Sequence, residues 1–113
     1  MALRIDSARF REWARLCADS LAVARDEIDA LNIFPVPDSD TGTNAYFTFA
    51  AGLEALDALP TGTDPLEVMR VYAEGLLIGA RGNSGTILAE LVRGSLRALR
   101  TCAGEVTSHD VAE

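Results

Sequence analysis

The chain has 113 residues, 49% of them hydrophobic, which suits one small globular domain with a buried core. Its formal net charge of -7 predicts no nucleic-acid partner, because nucleic-acid binders present a basic face to phosphates, and it also disfavours an anionic membrane surface. Two isolated cysteines, no apolar run long enough for membrane insertion and no visible signal peptide predict a cytoplasmic protein.

The first helical pattern covers residues 7–31, where apolar residues recur at steps of three and four with charges between them. Ser7 is the N-cap that this pattern predicts. Pro35 and Pro37 follow, and proline ends a helix because it lacks the backbone N–H and disfavours a helical residue before it. The sequence therefore predicts a long amphipathic helix followed by a loop.

A second helical pattern covers residues 43–59 and can be capped by Thr41 or Thr43. The stretch Pro-Thr-Gly-Thr-Asp-Pro then predicts a turn. Its last two residues, Asp64 and Pro65, suit the cap and the first position of a third helix.

Three glycines within residues 79–85 interrupt the helical pattern. A fourth helix follows and Gly104 ends it. No segment alternates apolar and polar residues as a half-buried strand does, so we predict an all-α fold of antiparallel amphipathic helices. The apolar side of the fourth helix is predicted to comprise Ile87, Leu88, Leu91, Val92, Ser95 and Leu99.

The last residues, Val106–Glu113, carry the signals of a helix start. Thr107 or Ser108 suits the cap, and acidic residues occupy the first turn. We therefore expect the chain to be the first part of a larger domain.

Two carboxylates, Asp38 and Asp40, lie one residue apart between the first two helices. Like charges at this spacing repel unless a cation or protons neutralise them, and Mg²⁺ combines one or two carboxylates with water and phosphate oxygens. Asp38 and Asp40 are therefore candidate metal ligands and catalytic residues. From the spacing alone a solvated capping loop is the alternative, because Asp, Ser and Thr are common in caps.

The residues after these acids, Thr41, Gly42, Thr43 and Asn44, run into the start of the second helix, where backbone N–H groups and hydroxyls can hold an anion. Metal ligands beside an anion site suggest a metal-bound phosphate ester, most often a nucleotide. These four residues are therefore candidate nucleotide contacts.

A second candidate anion loop is formed by Gly82, Asn83, Ser84 and Gly85 at the start of the fourth helix. It lacks the Lys of a P-loop, and no strand precedes it as in a dinucleotide fold. A glycine-rich turn between helices is the alternative. In an antiparallel bundle the starts of the second and fourth helices lie at the same end, so one ligand can contact both loops.

The segments LNIFPVPDSDTGTN, residues 31–44, and GARGNSGTILAELVRG, residues 79–94, together resemble a known family. They are similar to the nucleotide-binding DhaL-type domain of bacterial dihydroxyacetone kinases and, more closely, to the N-terminal kinase domain of bacterial fatty acid kinase. The resemblance covers nearly the whole chain. It implies an eight-helix barrel of which residues 1–113 form the first half, truncated near the start of a fifth helix.

The resemblance also implies an activity, namely transfer of a phosphoryl group from ATP to a fatty acid that a lipid-binding partner protein carries. Asp38 and Asp40 match ligands of two Mg²⁺ ions that bridge to ADP or ATP phosphates. The matched nucleotide contacts are Thr41, Gly42, Thr43, Asn44, Gly82, Asn83, Ser84 and Gly85.

The chain departs from the family pattern at Ser39, where Gly is usual, and at Ala45, where Met is common. Asn32, as in the fatty-acid-kinase branch, stands where the dihydroxyacetone branch has a third Asp. That branch is the alternative assignment, but it often has His where this chain has Thr41. A non-catalytic helical oligomerisation module is the other alternative. Half a barrel would expose apolar helix faces, so we expect a homo-oligomer, with the 113-residue chain inactive alone.

Overall fold

The computed structural model describes residues 6–31 and 40–102. They form four helices, α1 (Ser7–Leu31), α2 (Thr41–Asp57), α3 (Pro65–Gly79) and α4 (Gly82–Cys102), and this part of the chain contains no strand. The prediction of an all-α fold is confirmed. The predicted fifth helix and Gly104 lie outside the described residues, as does the remainder of the expected barrel.

The N-cap of α1 is Asp6, one residue before the predicted cap. One carboxylate oxygen of Asp6 accepts the N–H groups of Ala8 and Arg9 at 2.8 and 3.3 Å. The prediction of Ser7 as the cap is wrong, because its hydroxyl donates to the carbonyl of Thr63 at 2.8 Å. That bond ties the start of α1 to the turn before α3.

Helix α2 is the central element, since it packs against α1, α3 and α4. It spans residues 41–57 rather than the predicted 43–59. Its buried residues face all three neighbours and include two glycines that allow close helix packing. They are Gly42, Ala45, Thr48, Phe49, Gly52 and Leu56.

Glycines bring α2 and α3 close together. A Cβ on Gly52 would lie 2.8 Å from side-chain atoms of Tyr72 and Leu76, and one on Gly75 would lie 3.2 Å from the Gly52 Cα. Both distances are shorter than ordinary van der Waals contact, so only glycine fits at these positions without a shift of the helices. The glycines of each helix therefore leave room for side chains of the other.

The core lies around α3, which contributes four fully buried side chains, including Tyr72 and Leu76. The Tyr72 ring packs edge-on against Phe10 of α1, with centroids 5.4 Å apart, and the same core cluster contains Leu56 of α2 and Leu96 of α4. Full burial of a leucine side chain stabilises the fold by roughly 1.5–3 kcal/mol. These contacts join all four helices.

The predicted caps of α3 are confirmed. The Asp64 side chain accepts the Leu66 N–H at 3.1 Å, and Pro65 is the first helical residue. None of the described helices is long and apolar enough to cross a membrane.

The predicted apolar side of α4 is wrong in part. Leu88 and Val92 pack against the core, but Ile87 and Leu91 are 67% and 63% exposed. The outer positions Ser95 and Leu99 are also exposed. The buried residues of α4 are instead Gly85, Ala89 and Leu96, because α4 packs against α2 and α3 on one side only within the described residues.

Candidate functional site

The start of α2 and the loop before α4 meet at the buried hydroxyl of Thr48. This hydroxyl donates to the Asn44 carbonyl at 2.8 Å and accepts the Arg81 N–H at 3.1 Å. A Cβ on Gly82 would lie 2.5 Å from the Asn44 amide nitrogen, and one on Gly85 would collide with the Thr48 hydroxyl. The two predicted loops therefore lie side by side, as the antiparallel arrangement predicts.

Gly82 is required at its position for a second reason. Its φ of +68° lies in the left-handed region, which residues with a side chain rarely adopt. The chain turns there from the end of α3 into α4. The turn places Asn83 and Ser84 in the first helical turn, with Asn83 exposed and Ser84 half-buried.

The cap of α2 comes from α1, and the prediction of Thr41 or Thr43 as the cap is wrong. One oxygen of Asp29 accepts the N–H groups of Gly42 and Thr43 at 2.7 and 3.1 Å. Its second oxygen accepts the Thr43 hydroxyl at 2.6 Å. Asp40 occupies the N-cap position, but its side chain makes no capping hydrogen bond.

These contacts keep Asp29 ionised. The hydrogen bond from the Thr43 hydroxyl holds the pKa of Asp29 below its ordinary value. The N–H groups of Thr43 and Gly42 and the charge of Arg25 act in the same direction, against partial desolvation. A fixed negative charge therefore lies at the start of α2 at neutral pH.

Two arginines lie around the aromatic residues of the first turns of α2. The Arg25 Nε donates to the Thr43 hydroxyl at 3.2 Å, and its guanidinium lies 5.2 Å from the centroid of Phe47 and 5.4 Å from that of Tyr46. The Arg81 guanidinium lies 4.4 Å from the Phe47 centroid. Such contacts are worth about 0.5–1 kcal/mol each at exposed sites. Positive groups from α1 and from the glycine-rich loop thus meet on one aromatic ring.

The structure describes only some of the predicted site residues. Asp40 is exposed at the start of α2, whereas Asp38 and Asn32 lie outside the described residues. Within residues 6–31 and 40–102 no three His, Cys, Asp or Glu side chains form a group that can hold a metal ion. Asp40 and the hydroxyl of Thr41 are hard oxygen donors, the type that Mg²⁺ prefers, so the donor chemistry fits this ion.

Asp29 and Arg25 were not predicted as site residues. Their spacing of four residues places them on one face of α1, and this spacing is the signal that the sequence contains. The partner of that face is the start of α2, which only the packing of the two helices reveals. A charged pair on a helix is by itself typical of a solvated surface.

Comparisons with known proteins place both loop segments within one domain family. The family model of the DAK2 domain matches residues 35–113. An uncharacterised protein of Staphylococcus saprophyticus is 42% identical over 101 residues, and the protein YloV of Bacillus subtilis is 40% identical over 102 residues. Each of these alignments covers 89% of this chain and 18% of the relative.

An uncharacterised protein of Staphylococcus aureus is 36% identical over 113 residues, which is 100% of this chain and 20% of that protein. The chain thus spans about a fifth of the length of the curated relatives it matches. The family model covers both loops and the three helices that carry them, and the relatives extend the match to α1. The chain therefore belongs to the DAK2 domain family, a dihydroxyacetone kinase family of DhaL-type domains.

Proposed function

We propose that this domain binds ATP with Mg²⁺ in a kinase that phosphorylates a fatty acid presented by a separate lipid-carrying protein. The observation that carries the proposal is the meeting of two predicted phosphate loops at Thr48. The family assignment supports a kinase-related domain. The fatty acid acceptor and its carrier rest on the resemblance of the two loop segments.

In phosphoryl transfer a protein mainly positions groups and neutralises charge. Asp38 and Asp40 would hold Mg²⁺, which when bound neutralises phosphate charge. The loop of Gly82 and Ser84 would contact the phosphates through N–H and hydroxyl groups. Thr41, Gly42, Thr43, Asn44, Asn83 and Gly85 remain predicted nucleotide contacts.

Isothermal titration of the full-length protein with ATP and Mg²⁺ tests the proposal. We expect Asp38→Ala combined with Asp40→Ala to weaken binding at least about tenfold, the equivalent of roughly 1.4 kcal/mol. Asp19→Ala combined with Asp26→Ala is the matched control, because it removes two exposed acids from α1 and should leave affinity unchanged. No binding by the unmodified protein, or full affinity in the Asp38 and Asp40 double variant, would contradict the proposal.

Dihydroxyacetone is the second candidate acceptor, because the matching family includes the dihydroxyacetone kinases. ATP consumption with dihydroxyacetone, compared with consumption in the presence of a fatty acid and its carrier, separates the two acceptors. We expect turnover with the fatty acid. Turnover with dihydroxyacetone alone would assign the domain to the other branch.

The expected self-association is a proposal supported by the apolar surface of the described helices. Trp13 and Leu16 of α1 and Leu88 of α4 line an open apolar groove, and Ile87 and Leu91 are exposed on α4. Light scattering of the 113-residue chain after size exclusion tests this proposal. We expect a dimer or larger species, and a stable monomer would contradict the expectation. A stable dimer that bound no nucleotide would favour the oligomerisation module instead.

A further inference from the structure

We infer that Asp29 is a positioning residue of the proposed nucleotide site, because its carboxylate occupies the place at the start of α2 that a ligand phosphate would otherwise take. The inference rests on the proposed function and refines it. In this arrangement α2 presents a fixed orientation of Thr43 to the site, while phosphate contacts come from the α4 side.

The Asp29 carboxylate occupies the backbone N–H groups of Gly42 and Thr43. Gly42 and Thr43 are predicted phosphate contacts, and their N–H groups are among the few at a helix start that lack an intrahelical partner. Both donate to Asp29, at 2.7 and 3.1 Å. A phosphate can use these two donors only after displacing the carboxylate.

Asp29 and Arg25 together orient the Thr43 side chain. Its hydroxyl donates to Asp29 at 2.6 Å and accepts from the Arg25 Nε at 3.2 Å. Its hydrogen and one lone pair are therefore directed toward α1. The same two α1 side chains thus hold both the backbone and the side chain of Thr43.

Close packing of α2 against α1 at Gly42 opposes displacement of the Asp29 carboxylate. A Cβ added there would collide with the Arg25 carbonyl oxygen and would lie 2.9 Å from the Ile28 Cβ. The start of α2 is therefore in backbone contact with the last turns of α1, independently of the carboxylate. This packing holds the start of α2 beside Asp29.

The consequence is a division of roles between the two helix starts. The Asp29 carboxylate occupies the N–H groups of Gly42 and Thr43 at the start of α2, so backbone contacts to phosphate are left to the glycine-rich loop at the start of α4. A nucleotide would meet α2 through a cation rather than through its N–H groups. Asp29 acts in this site through Thr43 and Gly42 and does not itself contact the nucleotide.

Amide hydrogen exchange of the full-length protein, first without nucleotide, tests this role. In Asp29→Ala we expect exchange at Gly42 and Thr43 to accelerate at least about tenfold, a loss of roughly 1.4 kcal/mol in protection. Added acetate should restore part of the protection in this variant, because it supplies the missing carboxylate, and should change nothing in the unmodified protein. Unchanged exchange in Asp29→Ala, or no response to acetate, would overturn the inference.

A second measurement separates positioning from general stability. We expect Asp29→Ala to weaken Mg²⁺-ATP binding at least about tenfold, while Asp64→Ala, which removes the cap of α3, changes affinity less than about twofold. Asp26→Ala controls for the loss of an α1 charge. Equal losses in all three variants would mean that Asp29 contributes only stability, and would overturn the positioning role.

Asp29→Asn keeps the inference testable if the alanine variant does not fold. Asparagine retains an oxygen that can accept both N–H groups, so we expect the Gly42 and Thr43 amides to stay protected relative to the alanine variant. Mg²⁺-ATP added to the unmodified protein should leave that protection in place, and its loss would show that phosphate displaces Asp29. If the unmodified protein does not bind Mg²⁺-ATP, the proposed function is wrong. The exchange and acetate measurements use nucleotide-free protein, so they would still decide whether Asp29 holds the start of α2.

Discussion

The starts of α2 and α3 are both capped by an aspartate, but the two carboxylates come from different parts of the chain. Asp64 directly precedes α3 and accepts one N–H, that of Leu66. Asp29 lies 13 residues before Gly42, on another helix, and accepts two N–H groups and a hydroxyl. The first cap ends a turn, whereas the second joins two helices and sets the geometry of the candidate site.

Gly42→Ala should have the largest effect on stability, because it removes the close packing that brings the start of α2 to Asp29. The added Cβ would collide with the Arg25 carbonyl and force α2 away from α1. We expect a loss of about 1–3 kcal/mol in the free energy of unfolding, measured by urea denaturation. Gly94→Ala is the matched control, since no atom lies within 4 Å of its new Cβ. It should stabilise α4 by up to about 1 kcal/mol, and equal losses in both variants would contradict the packing argument.

Thr48→Val should have the next largest effect, because it removes the hydroxyl that joins α2 to the loop before α4. The variant keeps nearly the same volume but leaves the Arg81 N–H without its acceptor. We expect a loss of about 1–3 kcal/mol, measured as a shift of the urea midpoint at constant slope. Thr86→Val is the control, because its exposed hydroxyl donates to the Gly82 carbonyl within α4. Comparable shifts for the two variants would refute a special role for Thr48.

Asp29→Ala and Asp64→Ala compare the two caps directly. Loss of the Asp64 cap should cost about 0.5–1 kcal/mol, since one exposed hydrogen bond is lost. Asp29→Ala should lower the melting temperature further, because three hydrogen bonds between two helices are lost together. Thermal unfolding followed by circular dichroism measures both. Equal melting temperatures would show that the remote cap adds nothing beyond a local one.

The smallest effect concerns pH. Because the pKa of Asp29 in the fold lies below its ordinary value of 3.8, its contribution to stability is complete above that value and is lost as pH falls through the lower folded value. The difference in melting temperature between the unmodified protein and Asp29→Ala should therefore be constant from about pH 5 to 8 and shrink below about pH 4. A difference that grew on acidification would contradict the lowered pKa.

The sequence predicts those parts of the fold whose causes are local. The periodicity of residues 7–31 predicts the bounds of α1, and the Asp64-Pro65 pair predicts the start of α3. The glycines of residues 79–85 predict a break before α4, and α4 begins at Gly82. Each of these features depends on neighbours a few residues apart.

The features that the sequence does not predict are those that depend on which helix faces pack against each other. The cap of α2 belongs to Asp29, and sequence alone assigns Asp29 to the polar side of α1. Leu91 has the same apolar character as Leu88, yet only Leu88 packs against the core. The meeting of the two loops follows from the antiparallel topology. The sequence does not single out Thr48, whose hydroxyl joins the loops, because it is a small residue within a helical pattern.

The glycine contact between α2 and α3 has a consequence for the separation of the two loops. Helix axes usually lie 8–10 Å apart, at a spacing set by side chains. Here Gly52 leaves room for the Tyr72 and Leu76 side chains of α3, and Gly75 lies close to the Ala55 side chain of α2, so a larger residue at either glycine would push the two helices apart. Because α4 begins three residues after α3 ends, such a shift would also move the start of α4 relative to α2. The separation of the two loops therefore depends on two glycines that lie outside both loops.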